Sequence, residues 1–378
     1  MKLSHLTVAA ALALLATACD NDDPVVIEPD YQPIAQETPD SNGPVAGVYV
    51  LNEGNMGSNK CTIDFFDYSK AMYIRNIYPY RNPTAILELG DTGNDIKVYR
   101  NRLYAVINGS NKVEVMDAQT TIRLGQIDID ACRYIAFDGK YGYVSSFVGG
   151  LGDNGSIMRF DTETLQITGK VSAGLQPEEI VIADGYLYVA NSGQFQAPDY
   201  DRNITVIRLS DFTVVDNIEV DVNMHHLKTD AQGNLWVSSR GNYADIPSNL
   251  YKLPRNNAGT FENPIAVNVP CSDFAVSGNK IYYYATVYDA NWNPTQEYGI
   301  VDVATAKKES GSFITDGTAA GITAPYTIAV QPANGDIFIT DAMNYTSSGQ
   351  IRCYNSEGRL KWYATTGDIP GHIAFLMR

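Results

Sequence analysis

Seven times along this chain an aromatic residue stands in the middle of a short apolar run of β type. The set is Tyr49, Tyr104, Tyr143, Tyr188, Trp236, Tyr282 and Phe338, spaced at 55, 39, 45, 48, 46 and 56 residues. The runs read VYVLN, LYAVIN, GYVSS, LYVANS, LWVSS, IYYYA and IFITD. A repeat of this length, built from strands and turns, implies a β-propeller with one blade per repeat. Six of the runs have an apolar partner upstream, marked by Ile96, Ile135, Ile180, Leu227, Phe274 and Ile328. Turns such as Asp138-Gly139, Asp184-Gly185 and Asn334-Gly335 separate the two, because Gly and Asn accept the positive φ of tight hairpins. A third strand follows, ending near Asp67, Asp117, Asp161 or Asp302, and then a weaker fourth.

The run at Tyr49 has no upstream partner. The C-terminal HIAFLMR, around Ile373, has the same form as YIAFDGK at Ile135. The expected fold is therefore all-β: a seven-bladed propeller over residues 45–378, closed by N- and C-terminal strands in one blade. Closure of this kind leaves no open inner edge. No long stretch carries apolar residues at helical spacing. The chain has 25 Tyr against 12 Phe, more than blade interfaces alone would call for, which leaves Tyr for the surface.

Residues 1–19 read as an export signal, with Lys2, an apolar stretch, and small residues before Cys19. A small-residue tripeptide ahead of a cysteine resembles a bacterial lipoprotein signal and makes Cys19 the expected lipidation site. An ordinary secretory signal is the alternative. Residues 20–44 are acidic and Pro-rich, and are expected to form a flexible tether. The acidic cluster behind Cys19 resembles the surface-export tag of Bacteroides-type lipoproteins. Among the remaining cysteines, Cys61, Cys132, Cys271 and Cys353, no pair has a matching position in neighbouring blades, and no disulfide is expected. A net charge of −16 with no basic cluster argues against nucleic acid as a partner.

In a propeller the loops between second and third strands emerge on the same face as the links between blades, around the central channel. Function gathers on such loops, which vary without disturbing the blades. Here they carry Asn52 and Glu53, then Asn108, Phe147, Asn191 with Phe195, Arg240 with Tyr243, Tyr288 with Trp292, and Asn344 with Tyr345. Aromatic faces stack on flat or apolar groups at low entropic cost, and amides both donate and accept. The links between blades add Asn94, Arg133, Tyr134, Glu178, His225, Tyr326 and His372. The plainer reading of Arg133 and Glu178 is a salt bridge between blades, and of Tyr134 and Tyr326 interface packing. His225 and His226 are adjacent on an extended segment, so at most one is expected to face the channel.

Catalytic signatures are missing: there is no GxSxG, no HExxH and no phosphate loop. The chain is expected not to be an enzyme and to require no cofactor or protein-bound metal. Glu53, Asn94 and Asn191 form the one set considered for a channel Ca²⁺, as in lactonase-type propellers.

The segments VYVLNEGNMGSNKCTIDFFDY and ELGDTGNDIKVYRNRLYAVINGSNKVEVMDA resemble the YncE-like seven-bladed propellers found as surface lipoproteins in Bacteroidetes. The LNEGN and LGDTGND runs carry the likeness most specifically. Within that group the chain is similar to the BtuG-type lipoproteins. The resemblance implies a lipid-anchored protein on the outside of the outer membrane. It would bind vitamin B12 (cobalamin or a related corrinoid) and deliver it to a TonB-dependent outer-membrane transporter. A surface module for a glycan, other small cargo or a protein is the alternative, and a Ca-dependent lactonase-type hydrolase is a third reading.

Overall fold

The computed structural model describes residues 26–85, 88–147, 152–289, 291 and 293–378. Seven antiparallel sheets follow one another along the chain. Each inner strand touches the inner strand of the next blade, from the first round to the last and back. Blade one is the composite expected from the sequence. Its inner strand is Pro370–Met377, paired with Val45–Asn52 in a register that sets Tyr49 opposite Ala374 and Leu51 opposite His372. The inner strands of blades two to seven are Gly93–Tyr99, Cys132–Asp138, Pro177–Ala183, Met224–Thr229, Asp273–Ser277 and Pro325–Val330. A five-residue helix, Ile77–Arg81, and a 3₁₀ turn, Thr318–Gly321, lie between blades.

The seven repeat aromatics pack between blades, none more than 9 % exposed. Trp236 shows why the position suits a large ring. It fills the space between its own sheet and Phe274, Ile281 and Tyr283 of blade six, and its indole N–H donates to Asp230 at 2.8 Å. A buried indole nitrogen left without a partner would be costly. At the lower hairpins the chain takes the left-handed backbone the turn requires, at Gly139 (φ 57°) and Gly185 (φ 80°). Cys61, Cys132, Cys271 and Cys353 are buried free thiols. Cys19 lies outside the described residues.

Part of the segment expected to be a flexible tether is ordered against the propeller. Asp30–Pro33 adds a fifth strand to blade one, pairing antiparallel with Met72–Arg75. Gln32 exchanges two hydrogen bonds with the backbone of Thr365 in blade seven, at 2.9 and 3.0 Å. Ile34 then enters the core between those blades, 5 % exposed. Edge pairing supplies backbone partners to a segment that lacks the apolar content to fold by itself. One buried isoleucine anchors it. Asp30 faces Arg75 at the upper end of its strand, so the segment 27–30 lies at the upper rim of blade one. There, with Lys60, Asp64 and Glu88, it borders a cleft of about 430 Å³.

Candidate functional site

The channel mouth is built by a backbone irregularity that repeats around the ring. Six of the seven inner strands carry a bulge near their upper end. In blade three Ile135 pairs with Val144 and Cys132 with Ser146, so Arg133 and Tyr134 together oppose Ser145. In blade four Glu178 and Glu179 hold these places, in blade five His225 and His226, and in blade seven Tyr326 and Thr327. A bulge suspends strict alternation and re-aims side chains. The result overturns the expectation for the histidines. Both rings lie together, centroids 3.8 Å apart, and both approach Tyr134, at 6.2 and 6.3 Å.

Two devices hold the bulges. Ser145, Ser238 and Thr340, on the second strands of blades three, five and seven, accept the amides of Tyr134, His226 and Thr327 at 3.0–3.1 Å. Carboxylates in the intervening blades reach across: Asp95 to the amide of Ile135, Glu179 to Leu227 and Asp273 to Ile328, at 3.1–3.2 Å. The amides that irregular pairing would orphan are thereby satisfied. The hydroxyls in VSSF, VSSR and ITDA were the sequence signal for this arrangement.

The mouth is filled by its own side chains. Tyr134 sits near the middle, 4 % exposed, its hydroxyl 2.9 Å from Nε2 of His225 and its ring 6.1 Å from that of His372. Burial, followed by the charges of Arg240, His226 and Arg133, holds the His225 imidazole well below its ordinary pKa. Fully buried Glu178 is gripped from two blades. Arg133 donates from Nε (3.2 Å) and Nη2 (2.8 Å), and Arg240 from Nη1 (3.1 Å). Burial raises this carboxyl, but the two guanidiniums outweigh it and leave the pKa lowered. Glu179 behaves likewise: burial is overcome by Lys228, at 2.8 Å, and His226, at 2.9 Å. Across the mouth Glu53 accepts from the Tyr326 hydroxyl at 2.9 Å and stands 3.5 Å from Nε2 of His372.

Above this floor the loops carry exposed rings. Phe195 is 57 % exposed, Tyr243 72 %, Tyr288 54 % and Tyr345 44 %. Phe147 meets Phe195 edge to face at 6.0 Å, with the Arg133 guanidinium 4.7 Å from the Phe147 ring. Tyr200 approaches Tyr243 at 6.4 Å, and on the far side Tyr326 approaches Tyr345 at 5.9 Å. Trp292 lies outside the described residues.

The amides play a different part from the rings. Asn52 and Asn191 are completely buried and brace their own sheets through Thr62 and through Asn203 and Thr205. Asn94 and Asn108 donate to the carbonyls of Arg133 and Cys132 at 2.7 and 2.8 Å, tying neighbouring blades. Asn344 is exposed, but its side-chain oxygen accepts the amides of Thr346 and Ser347 within its own loop. Glu53, Asn94 and Asn191, the candidate set for a channel Ca²⁺, each hydrogen-bond to different protein partners. Among the described residues no group of three or more His, Cys, Asp or Glu could hold a metal ion. The salt bridge between Arg133 and Glu178 is present, but its second arginine, Arg240, was not foreseen as its partner.

The match to a family model spans residues 46–366, nearly the whole propeller, under the description "Domain of unknown function (DUF5074)". The chain belongs to this family. No curated protein matches it. Among solved structures it is similar to a putative 6-phosphogluconolactonase from Bacteroides fragilis, at 12 % identity and a TM-score of 0.63, over 90 % of this chain and 100 % of that one. A quinonprotein alcohol dehydrogenase-like protein from Bacteroides thetaiotaomicron aligns at 16 % identity and 0.61, over 89 % and 79 % of the two chains. The periplasmic gluconolactonase of Pseudomonas aeruginosa aligns at 12 % and 0.57, over 87 % and 99 %. At such identities these neighbours share a propeller fold with this chain, and the likeness carries no chemistry.

Proposed function

We propose that this DUF5074 propeller is a binding module, not a catalyst, and that its upper face captures a small molecule or a partner surface. One contrast supports the reading. The carboxylates of the mouth are each engaged by neighbouring donors, whereas the aromatic loop tips above them are open to solvent. General acid–base or nucleophilic chemistry needs a group free to reach substrate. A preformed rim of rings on a closed scaffold instead suits binding, since little ordering entropy remains to be lost. The test is a panel of glycans, corrinoids and other small molecules offered to wild type and to a Phe195→Ala/Tyr243→Ala double variant. Binding that the double variant loses at unchanged melting temperature supports the reading. Turnover of any panel member by the wild type would contradict it.

The narrower form of the proposal follows the resemblance to BtuG-type lipoproteins: the cargo is cobalamin or a related corrinoid. Lipidated Cys19 holds the propeller on the outer surface of the outer membrane, and a TonB-dependent transporter receives the cargo. Rings suit the corrin face and polar side chains its amide rim. Protein mixed with cyanocobalamin and desalted should stay pink; a colourless protein removes this form and leaves the broader one standing. Cys19→Ala should move the protein from the membrane fraction to the soluble one.

A further inference from the structure

The two guanidiniums on Glu178 are not used up by it. Arg133 spends Nε and Nη2 on the carboxylate, and Arg240 spends Nη1. Among the described residues, Nη1 of Arg133 and Nε and Nη2 of Arg240 have no acceptor, although a guanidinium presents five N–H donors. The two side chains are 17 % and 22 % exposed, and the carboxylate between them is wholly buried. Two cations and one anion leave one net positive charge at this part of the mouth, in a chain whose net charge is −16. Rings stand directly over it: Phe147 against Arg133, with Phe195 beside Phe147. Tyr200 and Tyr243, on the loops of blades four and five, approach each other at 6.4 Å. Arginine mounted on a fixed partner is pre-organised for planar oxyanions.

Building on the binding role proposed above, we infer that Arg133 and Arg240, with Phe147 and Phe195, form an oxyanion subsite. It takes a ligand whose flat apolar body carries a phosphate or carboxylate. The oxyanion accepts from the unused guanidinium donors while the flat body lies against the rings. Glu178 is the positioning residue: it fixes both arginines and touches no ligand. Glu53, on the opposite side of the mouth, disfavours an anion there and so orients the ligand toward blades three to five.

The test uses the folded chain and ligand-observed NMR titration with four probes: phenylphosphonate, benzoate, benzyl alcohol and inorganic phosphate. Wild type should bind phenylphosphonate or benzoate at least fivefold more tightly than benzyl alcohol or phosphate, and the comparison of those two anions identifies the preferred headgroup. Arg240→Gln, which leaves the Arg133–Glu178 bridge in place, should weaken anion binding at least fivefold with benzyl alcohol unchanged. Should that variant fail to fold, wild-type binding of the anions must fall steeply as salt rises and that of benzyl alcohol must not. Equal binding of charged and neutral ring probes, or anion affinity unmoved by Arg240→Gln, overturns the subsite. If Phe195→Ala still abolishes ring binding in that case, the broader binding role survives. Failure of every ring probe to bind counts against both.

Discussion

On one side of the channel mouth, blades three to five set a wholly buried carboxylate between two arginines. On the other, blades seven and one set Glu53, 19 % exposed, against a tyrosine and a histidine. Tyr326, Arg133 and Glu178 occupy equivalent places in bulged inner strands. The backbone repeats and the chemistry does not. The ring thus fixes where side chains point, and the residues placed there decide the charge they present. Burial separates the sides further, because a paired charge cut off from water is far more sensitive to loss of its partner than one at the rim.

The comparison breaks most sharply at Glu178. Glu178→Ala leaves two arginines facing each other without their carboxylate and should cost about 3–5 kcal/mol of stability in a urea unfolding experiment. Glu53→Gln exchanges the charged acceptor of the Tyr326 hydroxyl for a neutral one at a partly exposed position, and should cost about 1 kcal/mol. Costs of equal size would erase the distinction between the two sides.

A finer contrast lies in acid sensitivity. The folded protein holds His225 below its ordinary pKa of 6.5, chiefly through burial and then through Arg240 and its neighbours. The unfolded chain takes up a proton near 6.5 and the folded one does not. This stabilising contribution is complete above pH 6.5 and declines as pH falls from there toward the depressed folded value. His225→Gln should flatten the fall in melting temperature between pH 7 and pH 5. A slope identical to wild type would show that His225 is not the group concerned.

Much of the fold was legible because its determinants are local and repeated. An aromatic every 39 to 56 residues, a turn dipeptide before it and a stray C-terminal strand together specify seven blades and their closure. Less of the site could be read. The pairing of Arg240 with Glu178 spans 62 residues, and nothing near either residue announces it. Strict alternation along the strand does not reveal the bulge at His225-His226, although Ser145, Ser238 and Thr340 mark the positions that hold such bulges. The amides of Asn52, Asn94 and Asn191 read as surface binders because loop ends favour asparagine both for contact and for bracing. Only burial tells the two apart. Asp30–Pro33 was hidden by the average composition of its segment, which dilutes Ile34 among acids and prolines.

The central claim is that a preformed surface over blades three to five binds without converting what it holds. Its most direct test incubates purified wild type and an Arg240→Gln/Phe195→Ala/Tyr243→Ala triple variant with a small-molecule extract of spent growth medium, and identifies retained compounds by mass spectrometry. At least one compound should be enriched on wild type, lost from the triple variant and recovered chemically unchanged. No enrichment, equal retention by the triple variant, or recovery of a transformed compound would contradict the claim.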